Sequence, residues 1–424
     1  MSSKKAEKYF NLNSDCFFVK GAMRGALYNL SNGEVFSIDP VSVKVVERCE
    51  GHKSIDEISS GMEEVTKAQI IEYLKKIEEA GMGGLAGESC TDPKIDVAQR
   101  YEKLDFLWLE LHEDCNLRCR HCYCMSKPAV DDVDRLKHEE WLRVIDEAYD
   151  LGCRVLQFIG GEPFLYGEKL FELAEHAASR GYTNMEIFSN LTFLKDEWIE
   201  KMVELKIEAA TSIYSKRPEI HDLCTTVPGS FKRTIDAVHR LKEHGIQTRV
   251  ACTIMKQNQD YLEETMEFLK ELDVRRPGFD LVRPSGRGND EEIYPDKISK
   301  KAAYRSKAMF METDRETFIK RYNGNGCWQG KVAVSSTGTV HPCIMQRDDD
   351  SSSIRESSLE DIIKGSIHKY WDISHDDIDV CKDCEYKYAC HDCRPVAFGL
   401  SGELTAKSLH CSYDPYEGEW KDVE

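Results

Sequence analysis

The 424-residue sequence predicts an α/β protein built round an incomplete parallel barrel of six β/α units, with a smaller domain in front and a cysteine-rich region behind. Two patterns carry that prediction. From Leu104 to Gly288 short apolar runs alternate six times with amphipathic stretches, which calls for parallel strands joined by right-handed crossovers. Six units fall short of the eight of a complete barrel. On either side the pattern changes: short runs broken by turn residues precede the alternation, and seven cysteines fall between Cys327 and Cys411.

Residues 1–85 form the front domain. The runs Cys16–Val19, Ala26–Leu30 and Val35–Ile38 are bounded by Gly21, Asn32-Gly33 and Pro40, and Asn-Gly between apolar runs is a strong hairpin signal. Helices are predicted over 41–50, 54–60 and 67–80, the last presenting Ile70, Ile71, Leu74 and Ile77 and stopping at Gly81. Three strands and three helices at this size predict a winged-helix-like unit. Residues 1–39 carry a net charge of only +1, too little to grip DNA, whereas a β-edge beside a helix can take an extended peptide by strand addition. A small regulatory or dimerising domain is the alternative. Residues 86–103, with Gly87 and Pro93, read as a linker in which Cys90 has no assigned role.

The barrel spans 104–315. Its strands are predicted at Phe106–Leu111, Val155–Ile159, Met185–Ser189, Ala209–Tyr214, Thr248–Ile254 and Phe279–Val282. Between them lie helices such as Trp141–Leu151, with Trp141, Val144, Ile145 and Ala148 on one face, and Phe231–His244, closed by Gly245.

Net charge is −19, which disfavours nucleic acid and anionic membrane as partners because there is no excess of cations to neutralise phosphate. From Asp348 onward 19 Asp and Glu face 8 Lys and Arg, and Asp348–Ser353 reads as a solvated loop. The chain opens Met-Ser-Ser-Lys-Lys, with no apolar signal region and no 18-residue apolar run. A cytoplasmic, reducing location follows, so the 17 cysteines are read as metal ligands before disulfides.

Directly after the first barrel strand stand Cys115, Cys119 and Cys122, spaced C-x3-C-x2-C. Three thiolates can hold three irons of a 4Fe–4S cube and leave the fourth open; a structural zinc would want a fourth local ligand. This motif in this context resembles the radical S-adenosylmethionine (SAM) superfamily. The resemblance implies an open (β/α)6 barrel whose chemistry lies at the C-terminal strand ends, with SAM on the open iron.

The strand ends supply candidates for SAM. Gly160-Gly161-Glu162-Pro163 follows the second strand; absent side chains let backbone approach a ligand, and Glu162 can accept from an ammonium. The resemblance assigns this motif to the SAM amino group. It places Ser189, Asn190 and Ser212 at the SAM ribose and carboxylate, and His121 where adenine packs. Arg283 occupies a further site-facing position after strand six. The stretch His221-Asp222-Leu223-Cys224-Thr225 departs from relatives with an arginine shortly after His-Asp, so no such arginine is carried over.

Cys327 and Cys343 are followed by Cys381-x2-Cys384-x5-Cys390-x2-Cys393 and Cys411. Alone, Cys381, Cys384, Cys390 and Cys393 could form a zinc ribbon. After the barrel, the region 316–424 resembles the SPASM extension, which carries two auxiliary 4Fe–4S clusters. That resemblance implies Cys381, Cys384, Cys390 and Cys411 as ligands of the distal cluster and Cys327, Cys343 and Cys393 as ligands of the nearer one, which is left an open iron or an unnamed ligand. C-x2-C replaces the commoner C-x3-C at Cys390 to Cys393. Of the remaining cysteines, Cys124 lies close to the SAM motif.

Front domain, barrel and tail together resemble radical SAM/SPASM peptide maturases, whose front domain is a precursor-recognition unit. The resemblance implies three 4Fe–4S clusters, SAM, a ribosomal precursor peptide bound through its leader, and an electron donor such as flavodoxin or ferredoxin. It implies reductive splitting of SAM to methionine and a 5′-deoxyadenosyl radical, hydrogen abstraction from an acceptor carbon, and closure of a thioether by a substrate cysteine thiolate at the open iron of the nearer cluster, the spare electron leaving through the auxiliary clusters. Carbon–carbon or carbon–oxygen cross-linking, maturation of a sulfatase- or dehydrogenase-type protein, and an electron-transfer scaffold are the alternatives.

Overall fold

The computed structural model describes residues 8–49, 53–63, 65–88, 94–98, 100–129, 133–296, 310–347, 352–408 and 411–421. Glu50, Cys90 and the acidic run 348–351 lie outside the described residues.

The front domain contains β1 (Tyr9–Leu12), β2 (Cys16–Lys20), β3 (Gly25–Asn29), β4 (Val35–Ile38), α1 (Pro40–Arg48), α2 (Ile55–Ser60), α3 (Lys67–Glu79) and β5 (Gly83–Ala86). Helix starts follow side-chain caps: Asp39 accepts from Val41 and Ser42, and Ser54/Glu57 and Thr66/Gln69 form reciprocal capping boxes. β2, β3 and β4 make an antiparallel sheet whose Leu27 and Ile38 pack with Val43, Val46, Ile58, Ile70 and Leu74 from the helices. The structure adds a second ribbon, β1 antiparallel to β5. Its Gly83-Gly84 has no side-chain periodicity to betray a strand, and a Cβ at Gly83 would come within 2.5 Å of the Asn11 carbonyl oxygen.

The barrel follows as β6 (Phe106–Glu110), α4 (His138–Asp150), β7 (Val155–Ile159), α5 (Glu168–Arg180), β8 (Asn184–Phe188), α6 (Asp196–Glu204), β9 (Ile207–Ser212), α7 (Pro218–Thr225), α8 (Ser230–Glu243), β10 (Thr248–Ile254), α9 (Leu262–Glu271) and β11 (Arg275–Leu281). Strands β6 to β11 are parallel and in sequence order. Their outer faces meet the helices in one apolar core that includes Leu107, Leu109, Trp141, Phe158, Phe171 and Trp198. β11 begins at Arg275 instead of Phe279. Arg249 pairs with Arg275 while Ala251 pairs with Gly278, a bulge at Arg276-Pro277 with Arg276 at φ +47°. Proline cannot donate to a ladder, so the sequence reads as a break where the strand is bulged.

The tail comprises α10 (Arg315–Tyr322), β12 (Lys331–Val334), β13 (Val340–His341), α11 (Leu359–Ile362), α12 (His368–Trp371), α13 (Arg394–Ser401), β14 (Tyr413–Asp414) and β15 (Glu419–Trp420). β12 lies parallel to β6, with Lys331 opposite Phe106 and Val334 opposite Leu109, and β13 continues the sheet on its outer side. One eight-stranded sheet therefore runs through barrel and tail. No described helix is long and apolar enough to cross a membrane.

Candidate active site

The cysteine loop leaves the C-terminal end of β6. Asn190 braces it, its Nδ2 donating to Asn116 Oδ1 at 2.8 Å and lying 3.7 Å from Cys115 Sγ. Leu117 and Ser126 backbone N–H groups point at Cys115 Sγ and Cys122 Sγ, at 3.4 and 3.3 Å. Burial pushes the Cys115 thiol up to about 12 and raises that of Cys119 further. A hydrogen bond from Cys124, 3.7 Å away, instead holds Cys122 down to about 5. Burial thus opposes the thiolate at Cys115 and Cys119, and an electrophilic iron would favour it at all three sulfurs.

After β7 the chain runs alongside that loop. Gly161 N donates to the His112 carbonyl at 2.6 Å and Glu162 N to that of Asp114 at 2.8 Å. A Cβ at Gly160, which has φ +122°, would lie 2.7 Å from the His112 carbonyl oxygen, and one at Gly161 would lie 2.0 Å from that of Asp114. Their missing side chains therefore admit the cysteine loop itself. The Glu162 carboxylate is fully buried and accepts from Ser189 Oγ at 2.6 Å, Asn190 N at 2.8 Å and Phe164 N at 3.1 Å. Burial raises it to about 7 against those three bonds.

A cavity of about 950 Å³ opens at these strand ends. Cys115, Cys119, His121, Cys122, Gly160, Gly161, Ser189, Asn190, Ser212 and Arg283 all line it. Glu162 stands behind the wall, where it positions Ser189 and Asn190. His121 sits edge-on to Tyr214 at 4.8 Å, its buried Nδ1 has no hydrogen-bond partner, and burial lowers it to about 4. A neutral ring with an unpartnered nitrogen, on a residue that lines a cavity beside three gathered thiols, fits a bound adenosyl group and a cluster with an open position.

The tail cysteines gather in two sets. Cys327 hydrogen-bonds Cys393, with Cys343 beside them; that bond holds Cys393 down to about 6, and Arg283 donates to the same sulfur. Cys381 faces Cys390 and Cys411, and Cys384 faces Cys390 and Cys381. Among the described residues no three His, Cys, Asp or Glu side chains close round a single ion. Sets of three and four gathered thiols suit iron–sulfur cubes, whose irons are held by cysteine thiolates.

Arg287, with Arg283 one of the two arginines in the site-facing run after strand six, donates from Nε to the Cys119 carbonyl and from Nη2 to the Ser126 carbonyl, both at 2.8 Å. Other cavity residues escape sequence reading. Across the lumen Arg249 forks onto Glu186 at 2.7 and 3.0 Å, and Gln157 donates to the same carboxylate. The available signal was a lone polar residue inside each apolar strand, Gln157 in β7 and Glu186 in β8, since a buried polar group needs a partner. His221 also lines the cavity, whereas Asp222 caps α8 through Gly229 N and Phe231 N. Cys124 lies 3.5 Å from the Gly160 carbonyl oxygen.

The Radical SAM superfamily matches residues 109–269, and the SPASM iron–sulfur cluster-binding domain matches 327–385. The AdoMet-dependent heme synthase of Methanosarcina barkeri is 27% identical over 341 residues, 72% of this chain and 95% of that protein. The antilisterial bacteriocin subtilosin biosynthesis protein AlbA of Bacillus subtilis is 25% identical over 279 residues, 62% of this chain and 60% of that one. The fold of Streptococcus suis SuiB bound to its precursor peptide SuiA superposes with a TM-score of 0.58 at 15% identity, covering 95% of this chain and 100% of that one.

Proposed function

Because this chain carries a radical SAM domain followed by a SPASM iron–sulfur domain, we propose that it is a maturase that closes thioether links in a ribosomally made precursor peptide. The observation that carries the thioether is the nearer tail set. Cys327, Cys343 and Cys393 offer three thiols, and the segment just after Cys343, Ile344 and Met345, lines the same cavity as the SAM-site cysteines. A three-thiol site beside the cavity leaves room for a thiolate from the substrate.

When bound, SAM and the cluster held by Cys115, Cys119 and Cys122 supply a 5′-deoxyadenosyl radical able to take hydrogen from carbon. The protein supplies position. Asn190 and Glu162 fix the cysteine loop and the strand-three turn together, and Arg283 holds Cys393 at the cavity side. We propose three 4Fe–4S clusters in the working enzyme, reduced by a flavodoxin- or ferredoxin-class donor in the cytoplasm. The front domain, residues 1–85, takes the precursor's leader by strand addition, as AlbA's bacteriocin role and the SuiB–SuiA complex support. The edge we assign is the second half of β4: its first half is already paired, Val35 N donating outward to the Met311 carbonyl at 2.9 Å and Glu34 bridging Glu312, while Ser37, two residues on, turns its N–H the same way.

The test uses a cysteine-containing candidate precursor peptide, incubated with SAM and a reductant. Each link should remove two hydrogens from the peptide mass and one thiol from alkylation. A loss of two hydrogens with every thiol still reactive would replace the thioether with a carbon–carbon or carbon–oxygen bond.

A second reading has one observation in its favour. Six Lys or Arg and three Asp or Glu are among the described residues lining the cavity, in a chain of net charge −19, which suits a carboxylate-bearing tetrapyrrole and matches the heme synthase relative. Visible absorbance titration with a carboxylated porphyrin separates the two: tight stoichiometric binding favours the tetrapyrrole.

A further inference from the structure

The front domain and the distal cysteine set share a core. Val19, Ala26, Tyr28, Leu30 and Val35 from the front sheet pack with Phe318, Tyr386, Tyr388 and Tyr413 from the tail, and Cys384, Cys390 and Cys411 lie against that cluster. The Tyr28 hydroxyl is buried and donates to the Glu385 carbonyl at 2.8 Å, one residue from Cys384. The β2–β3 turn holds both chain segments that supply distal cysteines. Ala22 N donates to the Asp383 carbonyl at 2.8 Å, and Met23 N to that of Pro415 at 3.1 Å. Gly21 lies so close that a Cβ there would stand 2.8 Å from Glu385 Oε2 and 2.9 Å from Glu385 N. Glu385 is itself fully buried and accepts from Tyr413.

Cys384 and Cys411 are far apart in sequence, and ordering the chain between them costs entropy. The turn bridges the two segments from outside, and Tyr28 holds the one that carries Cys384. We infer that the front domain is a structural wall of the distal site, so that retention of the cluster held by Cys381, Cys384, Cys390 and Cys411 depends on Gly21–Arg24 and Tyr28. The inference rests on the reading that these four cysteines hold an iron–sulfur cluster. It gives the front domain a task independent of any peptide.

The experiment follows iron release from anaerobically prepared full-length protein to a ferrous chelator. Cys381→Ala marks the distal share as the iron it lacks. Tyr28→Phe keeps the ring and removes one hydrogen bond, and should speed release of that share about fivefold, the equilibrium factor of one neutral hydrogen bond. Gly21→Ala, which forces the turn off Glu385, should lose it during preparation while the other iron stays. Lys76→Ala, in an exposed α3 ion pair with Glu72, should match the parent. If Cys381→Ala retains full iron, the cluster reading itself fails. If Cys381→Ala loses iron but Tyr28→Phe releases it at the parent rate, the front domain is no wall and the inference falls alone; should Gly21→Ala not fold, Tyr28→Phe decides.

Discussion

Arg287 reaches back from the end of the barrel to clasp Cys119: its Nε donates to the Cys119 carbonyl at 2.8 Å, while its own backbone N–H donates to the Cys122 carbonyl at 3.0 Å. With the Nη2 bond to Ser126, three bonds from one residue fix the carbonyls around the third cysteine. Hydrogen bonds from a charged donor are worth about 1.5–3 kcal/mol each. Arg287→Met should therefore loosen the loop, lowering iron by about one cluster and weakening SAM binding at equilibrium, with tail iron retained. Iron and acid-labile sulfide per chain measure it; undiminished iron would show that the clasp is incidental.

Cluster arithmetic gives a second expectation. After anaerobic reconstitution the chain should hold about twelve irons, and the triple change of Cys115, Cys119 and Cys122 to Ala should remove about four and abolish SAM cleavage. Tightly bound zinc in place of tail iron, seen by elemental analysis, would overturn the assignment of the tail cysteines.

Glu162 predicts a pH dependence. Its folded-state value, about 7, lies above the ordinary 4.5 because burial disfavours the carboxylate. The folded state thus binds the proton more tightly than the unfolded one, so the stability it contributes is full below pH 4.5 and is lost as pH rises toward 7, by about 3 kcal/mol in all. Glu162→Gln should flatten that part of the Tm–pH curve. It should also weaken SAM binding, because an amide cannot accept from Ser189, Asn190 and Phe164 on both atoms. Parallel curves for parent and variant would place the titration elsewhere.

Leader capture at the β4 edge makes a fourth. Proline lacks the N–H that an added strand would use, and edges tolerate it. Ser37→Pro should lower affinity for the full-length precursor toward that of a leaderless peptide, the intact enzyme preferring the full-length form through an effective concentration of ~mM. Equal affinity of the intact enzyme for both peptides, measured by titration, would rule out tethering.

Much of the barrel is written locally. Each strand run is flanked by turn residues and followed by a helix whose stripe, as at Trp141, Val144, Ile145 and Ala148, is buried; the three-cysteine loop sits where a parallel strand must end. What sequence reading misses is pairing between distant segments. Nothing around Lys331–Val334 says that it will lie beside Phe106–Leu109, nor around Gly83 that it will pair with Leu12. The same holds for Glu162, an acid in a glycine-rich turn: whether it faces a ligand or a buried ring of donors depends on where Ser189 and Asn190 arrive. The Arg276-Pro277 bulge hides β11 because proline masks a strand whose neighbour tolerates the irregularity.

The strand pair β6–β12 also fixes where this protein can be cut and rejoined. β6 runs into the loop bearing Cys115, and β12 begins just after Cys327 and leads through β13 to Cys343. Backbone hydrogen bonds between those two strands thus hold the separation of two cysteine sites, as a ruler holds two marks, without reliance on a docked surface that could slide. A chimera spliced between barrel and tail would divide a single sheet and release that spacing. Barrel and tail should therefore be exchanged together, as one sheet.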